Sequence, residues 1–175
     1  INSTTDTLTA KKDMTQDGDN YLRTYRQTEL GTTIEAGGNV SIGAKYDIKA
    51  RNLTVSSDSG AVKVIGEHDV SIENGYSESK DAFALRYKEK GLLNKKETKI
   101  KTNDESTKAL MSTLSGHTVV VGANNDVKLT SSNVVSTAGT SVLAGHDVIT
   151  DAAAEHTLST ASKDVKKSGI MGAGM

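Results

Sequence analysis

Short runs of alternating apolar and polar residues recur along two stretches of the chain. Residues 47–50, 53–55 and 61–64 each alternate in this way, which is the pattern of a strand with one buried face. A second pattern joins such runs: an aliphatic residue, a small turn, Asn or Asp, and then Val, six residues after the first aliphatic. Its four copies cover residues 34–42, 64–72, 121–129 and 142–150. Each copy predicts a strand end, a glycine-containing corner and a new strand.

The spacing of these strands indicates how they are arranged. Between Val40 and Val70 the strand centres follow each other at seven or eight residues, too densely for hairpins with ordinary loops. Three such strands make a turn of about 22 residues, because the separation of Val40 and Val62 is 22 and that of Val127 and Val148 is 21. The spacing therefore predicts an all-β solenoid of stacked parallel strands, a parallel β-helix with about 21–22 residues per coil.

The predicted coils occupy residues 31–74 and 116–152. Each coil is too thin to bury its own apolar side chains, so stacking must make the core continuous. An aspartate at an inward position should cost several kcal/mol, since it would bury an unpaired charge. The residues expected to point inward are Val40, Ile42, Ile48, Val55, Val62, Val64, Val70, Ile72, Val121, Val127, Val134, Val142 and Val148.

The sequence also repeats with a period longer than one coil, since equivalent positions have a separation of 78 residues. It relates His68 to His146 and the motif Gly91-Leu92-Leu93 to Gly169-Ile170-Met171, each preceded by lysines. One unit is therefore a few coils followed by a polar segment. We interpret residues 75–115 as such a segment, a projecting hairpin or loop in which 81–90 also fits a short helix and 101–107 a turn. Residues 1–30 would end the preceding unit, and 153–175 would begin the next polar segment.

Composition narrows the partners and the chemistry. The chain has no cysteine, which excludes a disulfide framework and thiolate metal sites, and no proline, which suits continuous strand ladders. Its net charge of −1 gives no electrostatic basis for binding nucleic acid or an anionic membrane. No apolar run reaches the length that spans a bilayer. We expect neither a cofactor nor a bound metal, because the calcium-binding nonapeptide of some β-helices is absent.

The order of several short motifs resembles the haemagglutinin repeat of filamentous haemagglutinins and of contact-dependent growth inhibition exoproteins. The motifs cover residues 90–98, 112–116, 121–127, 132–135, 144–148 and 166–170. The resemblance extends over about residues 30–175. It implies a right-handed parallel β-helix, export through the outer-membrane transporter of a two-partner secretion system, and a long shaft on the cell surface. In the growth-inhibition proteins a similar region is implicated in toxin translocation, and the family has no catalytic motif to transfer.

We therefore expect a structural and adhesive shaft segment of a secreted surface exoprotein. A toxin-translocation module is the first alternative, and a polysaccharide-active β-helical enzyme is a remote one, since such folds also host lyases. An enzyme would need paired carboxylates or arginines on one face of neighbouring coils, whereas Arg51 is the only arginine in the coil regions. The expected partners are a host or neighbouring-cell surface (glycan, protein or outer membrane). The exposed coil ends should associate end to end, or an ordered tail should fold over one of them.

Recognition should lie in the polar segment, because the coils use their residues for alternation and corners. The surface-binding candidates are Tyr76, Phe83, Tyr87, Lys88, Lys90, Lys95 and Lys96. The tyrosines could equally pack on a hairpin, and the lysines could form a solvated face. His68 and His146 each precede an aspartate, but adjacent side chains in a turn point apart, which favours solvated corners over acid–base catalysis. The Asn or Asp before each corner valine is explained by bonding to backbone amides.

Overall fold

A computed structural model describes residues 1–169, and the predicted motif at Ile170–Met171 lies outside the described residues. The described chain contains sixteen strands and no helix, and therefore no helix that could span a membrane. It divides into two compact units. The parallel unit comprises Ile1–Leu8, Thr28–Ser77 and Lys108–Glu155; the hairpin unit comprises Thr9–Gln27, Glu78–Thr107 and His156–Met175, described as far as Gly169.

The parallel unit contains the short strands. They are β1 (Asn2–Ser3), β4 (Thr32–Ala36), β5 (Val40–Ala44), β6 (Ile48–Arg51), β7 (Leu53–Ser57), β8 (Ala61–Gly66), β9 (Val70–Glu73), β12 (Ser112–Ala123), β13 (Val127–Thr130), β14 (Ser132–Ala144) and β15 (Val148–Asp151). One sheet has the order β1-β6-β9-β13-β15, and the other has the order β4-β7-β12-β8-β5 with β14 also paired to β12.

The strand register confirms the predicted parallel pairing and its spacing. Val40 pairs with Val62 and Ile48 with Val70, a sequence separation of 22 in both cases. Val127 pairs with Val148, a separation of 21. We call three consecutive short strands, such as β4–β6 or β7–β9, one pass of the chain. Each strand of a pass pairs with the equivalent strand of the next, which aligns equivalent side chains in rows.

These rows form a continuous apolar core. Most of the aliphatic residues predicted to point inward are buried, while Ile42, Val134 and Val142 are half-buried against them. The prediction is wrong for Val148, which is 49% exposed because β15 is the last strand of its sheet. Additional buried residues that the alternation did not identify are Ala50, Leu53, Leu114, Val119 and Leu129.

A single residue turns the corner between the two parallel sheets. Asn52 joins β6 to β7 with φ = 50°, and Ser131 joins β13 to β14 with φ = 41°. Asparagine tolerates this left-handed conformation because its short side chain bonds locally; that of Asn52 donates to the Glu29 carbonyl at 2.9 Å. Gly31 begins the adjacent pass, where a Cβ would lie 1.7 Å from the Asn52 carbonyl oxygen. The corners are therefore stacked too closely for a side chain at Gly31.

The hairpin unit contains most of each long strand. These strands are β2 (Asp6–Asp17), β3 (Asn20–Leu30), β10 (Gly75–Lys90), β11 (Asn94–Leu110) and β16 (His156–Gly169), in the sheet order β16-β11-β10-β3-β2. β11 and β16 pair antiparallel, from Asn94 opposite Gly169 to Thr107 opposite His156. The short-helix interpretation of residues 81–90 and the turn at 101–107 are therefore wrong, since cross-strand pairing overrides the local helix propensity of these lysines and glutamates.

Each long strand is continuous in sequence with the parallel sheets. β2, β10 and β16 come after β1, β9 and β15, and β3 and β11 lead back into β4 and β12. The return to the parallel sheet occurs at Ser112, inside the segment assigned from sequence to residues 75–115. Ser112 is fully buried, accepts from the Leu53 amide at 2.9 Å and donates to the Glu73 carbonyl at 2.6 Å.

Candidate surface-binding site

The turn between β10 and β11 exposes two leucines. Gly91 donates its amide to the Asn94 carbonyl at 2.8 Å, which closes the turn. The two residues between them cannot fold back onto the strands, so Leu92 is fully exposed and Leu93 is 71% exposed. We call residues 88–97 the hairpin tip.

Lysines cluster next to these leucines on three neighbouring strands. β10 and β11 contribute two each, and β16 adds Lys166 and Lys167 opposite Glu97 and Lys96. The lysines of this region are Lys88, Lys90, Lys95, Lys96, Lys166 and Lys167. Against these six cations the hairpin tip has only two glutamates, Glu89 and Glu97, which leaves an excess of four positive charges.

Salt bridges to the two glutamates neutralise part of this positive charge. Lys96 Nζ lies 3.1 Å from Glu89 Oε2, and this hydrogen bond raises the pKa of Lys96. Glu97 is shared, since Lys88 lies 3.6 Å and Arg86 2.8 Å from its carboxylate oxygens. The hydrogen bond with Arg86 lowers the pKa of Glu97; desolvation opposes this shift, and the charge of Arg86 adds to it. The tip therefore stays cationic over the whole physiological pH range.

The seven residues selected from sequence do not form one site. Tyr87, which is 39% exposed, lies on the strands around the tip together with Lys88, Lys90, Lys95 and Lys96. Phe83 is seven residues before Lys90 on β10, a distance of roughly 23 Å along a strand.

Tyr76 belongs to the parallel unit and has a structural role. The Arg51 guanidinium lies 5.6 Å from its ring centroid, and its amide donates to Glu29 at 3.0 Å. Arg51 itself makes two hydrogen bonds to Glu29, at 2.7 and 2.9 Å. Tyr76 therefore anchors the first residues of β10 within the parallel unit.

Four residues of this region, Leu92, Leu93, Lys166 and Lys167, are not among the binding residues predicted from sequence. The long period could have identified all four, because it already related the two Gly-aliphatic-aliphatic motifs and the lysines before them. It makes β16 the counterpart of β10. β16 pairs with β11 of the preceding long period, so the lysines of both strands lie close together.

A second group of polar residues lines a corner of the parallel unit. His68 Nδ1 lies 2.8 Å from Asp47 Oδ1 and 3.3 Å from Asp69 Oδ2, so the expectation that the adjacent His and Asp point apart is wrong. His146 repeats the arrangement, at 2.9 Å from Asp126 and 3.3 Å from Asp147.

Between these two copies, asparagine replaces histidine. Asn125 Nδ2 donates to Asp69 Oδ1 at 2.8 Å, and the Asp126 amide donates to the same oxygen at 3.1 Å. In every step the aspartate of one pass accepts hydrogen bonds from the next pass. We call the series Asp47, His68, Asp69, Asn125, Asp126, His146 and Asp147 the corner ladder.

The corner ladder shifts the pKa of its members. The hydrogen bond with Asp47, and next the charge of Asp69, raise the pKa of His68. The hydrogen bond with Asp126, and next the charge of Asp147, raise the pKa of His146. Each histidine in turn lowers the pKa of the aspartate that it contacts.

Each histidine corner also offers one imidazole and two carboxylates within 4.8 Å, a set that a divalent cation could use. However, the imidazole Nδ1 and one carboxylate of each set are already hydrogen-bonded to each other. The arrangement therefore serves to join successive passes of the chain.

Comparison with known proteins places the chain in a family. Residues 4–82 match the model described as the hemagglutinin repeat. The chain belongs to the haemagglutinin-repeat family. The matched segment of this haemagglutinin-repeat chain is about as long as one long period and contains one hairpin, the six strands β4–β9 and the first half of β10. The matched segment therefore begins with a hairpin that is followed by two passes of parallel strands.

Curated relatives of this haemagglutinin-repeat chain are much longer proteins. It is 31% identical over 147 residues to the tRNA nuclease CdiA of Escherichia coli, covering 84% of the chain and 4% of the relative. It is 33% identical over 151 residues to the 16S rRNA endonuclease CdiA of Enterobacter cloacae, covering 83% of the chain and 4% of the relative. It is 25% identical over 179 residues to the tRNA nuclease CdiA-2 of Burkholderia pseudomallei, covering 98% of the chain and 6% of the relative. No solved structure matches.

Proposed function

We propose that this chain is a structural and adhesive shaft segment of a secreted surface exoprotein of the filamentous haemagglutinin type. The observation that carries the proposal is the parallel register, in which equivalent strands pair side by side, at a separation of 20–22 residues where no hairpin intervenes. Such pairing can be repeated along a chain without limit, because every pass presents the same edge to the next. It suits a long support better than a compact domain.

The proposal gives the parallel unit a specific architecture and location. Its passes are coils of a right-handed parallel β-helix, the handedness that crossovers between parallel strands adopt in nearly all proteins. The parent protein is exported by the outer-membrane transporter of a two-partner system and stays at the cell surface. Membership of the haemagglutinin-repeat family supports this location, although the chain spans only 4–6% of the length of the relatives.

Binding belongs to the hairpins in this proposal. The core positions of the parallel unit are repetitive aliphatic residues, whereas the hairpin tip carries most of the clustered lysines and the most exposed leucine. We assign surface recognition to Tyr87, Lys88, Lys90, Lys95 and Lys96, with Phe83 as a more remote contributor on the same strand. The partner is a host or neighbouring-cell surface, and the proposal assigns no catalytic residue to this segment.

A second function is favoured by the relatives. Those reported above are all named as CdiA nucleases, and their matched segments are a small part of proteins that act on RNA. A repeat region that accompanies a toxin could help to carry it into a target cell. The translocation alternative therefore shares the shaft and its hairpins but assigns them a role in transfer.

A hairpin deletion in the full-length parent protein separates these functions. Removing Gly75–Met111 leaves the linkage Glu73-Asn74-Ser112, which reproduces the one-residue corner Arg51-Asn52-Leu53. Surface display, attachment to target cells and toxin delivery would be measured in parallel. Loss of attachment with normal display supports the adhesive shaft, and normal attachment with lost delivery supports the translocation module.

The matched control removes the shorter hairpin, Thr4–Leu30, leaving Ser3-Gly31-Thr32. It deletes strands of the same sheet but not the leucine and lysine cluster, so it should affect attachment less. If the Gly75–Met111 deletion abolishes display, the hairpin is part of the shaft architecture. If display, attachment and delivery all remain normal, the binding assignment is wrong.

A further inference from the structure

The turn that joins β10 to β11 is unusually apolar for its position. Turns of this kind normally use Gly, Asn, Asp or Ser, which satisfy the backbone and face water. The other hairpin of the described chain follows that rule: its turn is Gly18-Asp19, and Asp17 accepts from the Asp19 amide at 2.8 Å. The hairpin architecture therefore does not require Leu92 and Leu93, which stand adjacent and exposed at the far end of two long strands.

The charges around the turn are equally specific. Within the described residues, Lys90 and Lys95 flank the turn on either side and neither forms a salt bridge there. Lys88, Lys96, Lys166 and Lys167 lie one or two residues further from it, and the local excess is four positive charges. The arrangement is thus an exposed apolar turn next to a cluster of lysines on three adjacent strands.

We propose that the hairpin tip inserts Leu92 and Leu93 into an anionic lipid bilayer, with the surrounding lysines on the lipid phosphates. This inference deepens the proposed surface-binding role of the hairpin and rests on it. An anionic glycan would account for the lysines but not for the exposed leucines, and an apolar groove of a protein would account for the leucines but not for the lysine cluster. A bilayer with anionic headgroups satisfies both.

The dimensions fit this partner. Two leucines reach the upper part of the acyl layer, while lysine side chains bury their methylene stems and keep the ammonium group at headgroup level. The polar strand residues that follow would stay in water, so the contact is interfacial and does not span the membrane. The sequence repeats the motif one long period later as Lys166-Lys167-Ser168-Gly169-Ile170-Met171. Weak individual tips would therefore act together through multivalency.

A single tryptophan gives a direct test, since the chain contains none. Leu92→Trp in the 175-residue chain would be mixed with vesicles of phosphatidylcholine alone or with one quarter phosphatidylglycerol. The expected result is a blue shift of emission and quenching by lipids brominated in the acyl chain, with the anionic vesicles only. Tyr46→Trp is the matched control, because Tyr46 is 74% exposed in the parallel unit and should show neither change.

Substitutions separate the apolar and the cationic contributions. Leu92→Ser with Leu93→Ser should weaken vesicle partitioning about a hundredfold, on the order of tenfold for each leucine. Lys95→Gln with Lys96→Gln should weaken it about 25-fold and reduce its salt dependence. The controls Leu143→Ser, at a residue 62% exposed in the parallel unit, and Lys63→Gln, also exposed there, should leave partitioning unchanged.

Two outcomes overturn the inference. In the first, the Leu92→Trp variant sediments with anionic vesicles while its tryptophan emission stays unshifted, which means adsorption through lysines without insertion. In the second, the double serine variant partitions as strongly as the original chain. The cell-attachment experiment remains independent: if the hairpin deletion abolishes attachment but vesicles are ignored, the proposed function stands and the lipid partner is wrong. If the tip inserts but the deletion leaves attachment and delivery intact, the lipid partner stands and the proposed binding function of the hairpin is wrong.

Discussion

The two units of this chain use the same secondary structure with different sources of stability. In the parallel unit, aligned rows of Val, Ile and Leu are buried almost completely. In the hairpin unit, β2 and β16 are exposed along their whole described length, and the buried residues among those described are Ala84 and Thr98. One unit therefore depends on the hydrophobic effect, and the other depends mainly on its backbone ladder.

Charged side chains supplement that ladder. Arg86 contacts Asp19 at 3.0 Å as well as Glu97, and Lys99 contacts Asp19 at 3.2 Å. These ion pairs are partly buried, but water still reaches both partners and competes with the contact, so each contributes modestly. The comparison indicates that the parallel unit should unfold cooperatively, whereas the hairpins should open locally at lower free-energy cost.

The largest effect should come from a buried charge in the parallel unit. Ile72→Asp places a carboxylate where the native side chain is fully buried, and should cost about 3 kcal/mol or more of unfolding free energy. Val148→Asp is the matched control, because Val148 is half exposed and should lose less than about 1 kcal/mol. Urea unfolding followed by circular dichroism would measure both, and equal losses would contradict the assigned core.

A smaller loss should follow from crowding a stacked corner. A Cβ on Gly145 would lie 1.9 Å from the Asn124 carbonyl oxygen of the adjacent pass. Gly145→Ala should therefore cost roughly 1–3 kcal/mol, because the backbone must move to accept the methyl group. Gly139→Ala has nothing within 4 Å of the added Cβ and should be nearly neutral. The same urea experiment applies, and a neutral Gly145→Ala would mean that the corners are not stacked so closely.

Within the hairpin unit, Arg86→Gln should loosen the hairpins without affecting the parallel core. It removes the cation that Asp19 and Glu97 share, and amide exchange of β10 and β11 should accelerate by less than about tenfold. Lys88→Gln removes only the longer 3.6 Å contact to Glu97 and should accelerate exchange less. Hydrogen exchange read by mass spectrometry reports each strand separately. Faster exchange in β8 or β13 would show that the two units are not energetically separate.

The smallest effect should be a pH dependence in the corner ladder. The pKa of His146 is raised in the folded chain, so its contribution is fully present below the unfolded pKa of about 6.5 and is lost as pH rises through the folded value. The lowered pKa of Asp126 acts oppositely: its contribution is present above the unfolded value near 3.8 and is lost as pH falls through the folded one. The melting temperature should therefore decline slightly between about pH 6 and 8.

A matched variant isolates that histidine contribution. His68→Asn with His146→Asn copies the native Asn125, whose amide makes the equivalent bond to Asp69. The double variant should keep the ladder but flatten the melting temperature between about pH 6 and 8. An unchanged slope would show that the histidines are not its source.

Sequence periodicity predicted the parallel unit because one face of each strand is buried. Val40, Val62 and their neighbours alternate with polar residues, and the separation of 22 follows directly from the stacking. β10 and β11 have no such alternation, since both their faces carry charged or polar residues, and residues 81–90 consist partly of helix-favouring Lys and Glu. The pairing of these strands depends on partners distant in sequence, which periodicity does not encode.

The candidate site was predictable in part for the same reason. The lysines and the Gly-Leu-Leu motif are visible in the sequence, but the exposure of Leu92 depends on how the turn closes. The corner ladder can be predicted from the sequence, because the separation of Asp47 and His68 is 21 residues, which is one pass of the parallel strands. The same spacing that pairs the valines also pairs the histidines and aspartates of successive corners.

The one-residue corner has a consequence for how such proteins diversify. After β6 and β13 a single residue, Asn52 or Ser131, leads into the next pass, whereas after β9 an entire hairpin occupies the interval before β12. The chain re-enters in register either way, with Leu114 opposite Val55. The corner is therefore a position at which residues can be inserted without changing the register of the parallel strands. The two hairpins already differ in length, with strands of 12 and 11 residues in one and 16 and 17 in the other. Hairpins can therefore be lengthened, exchanged by recombination or lost while the parallel strands are inherited unchanged.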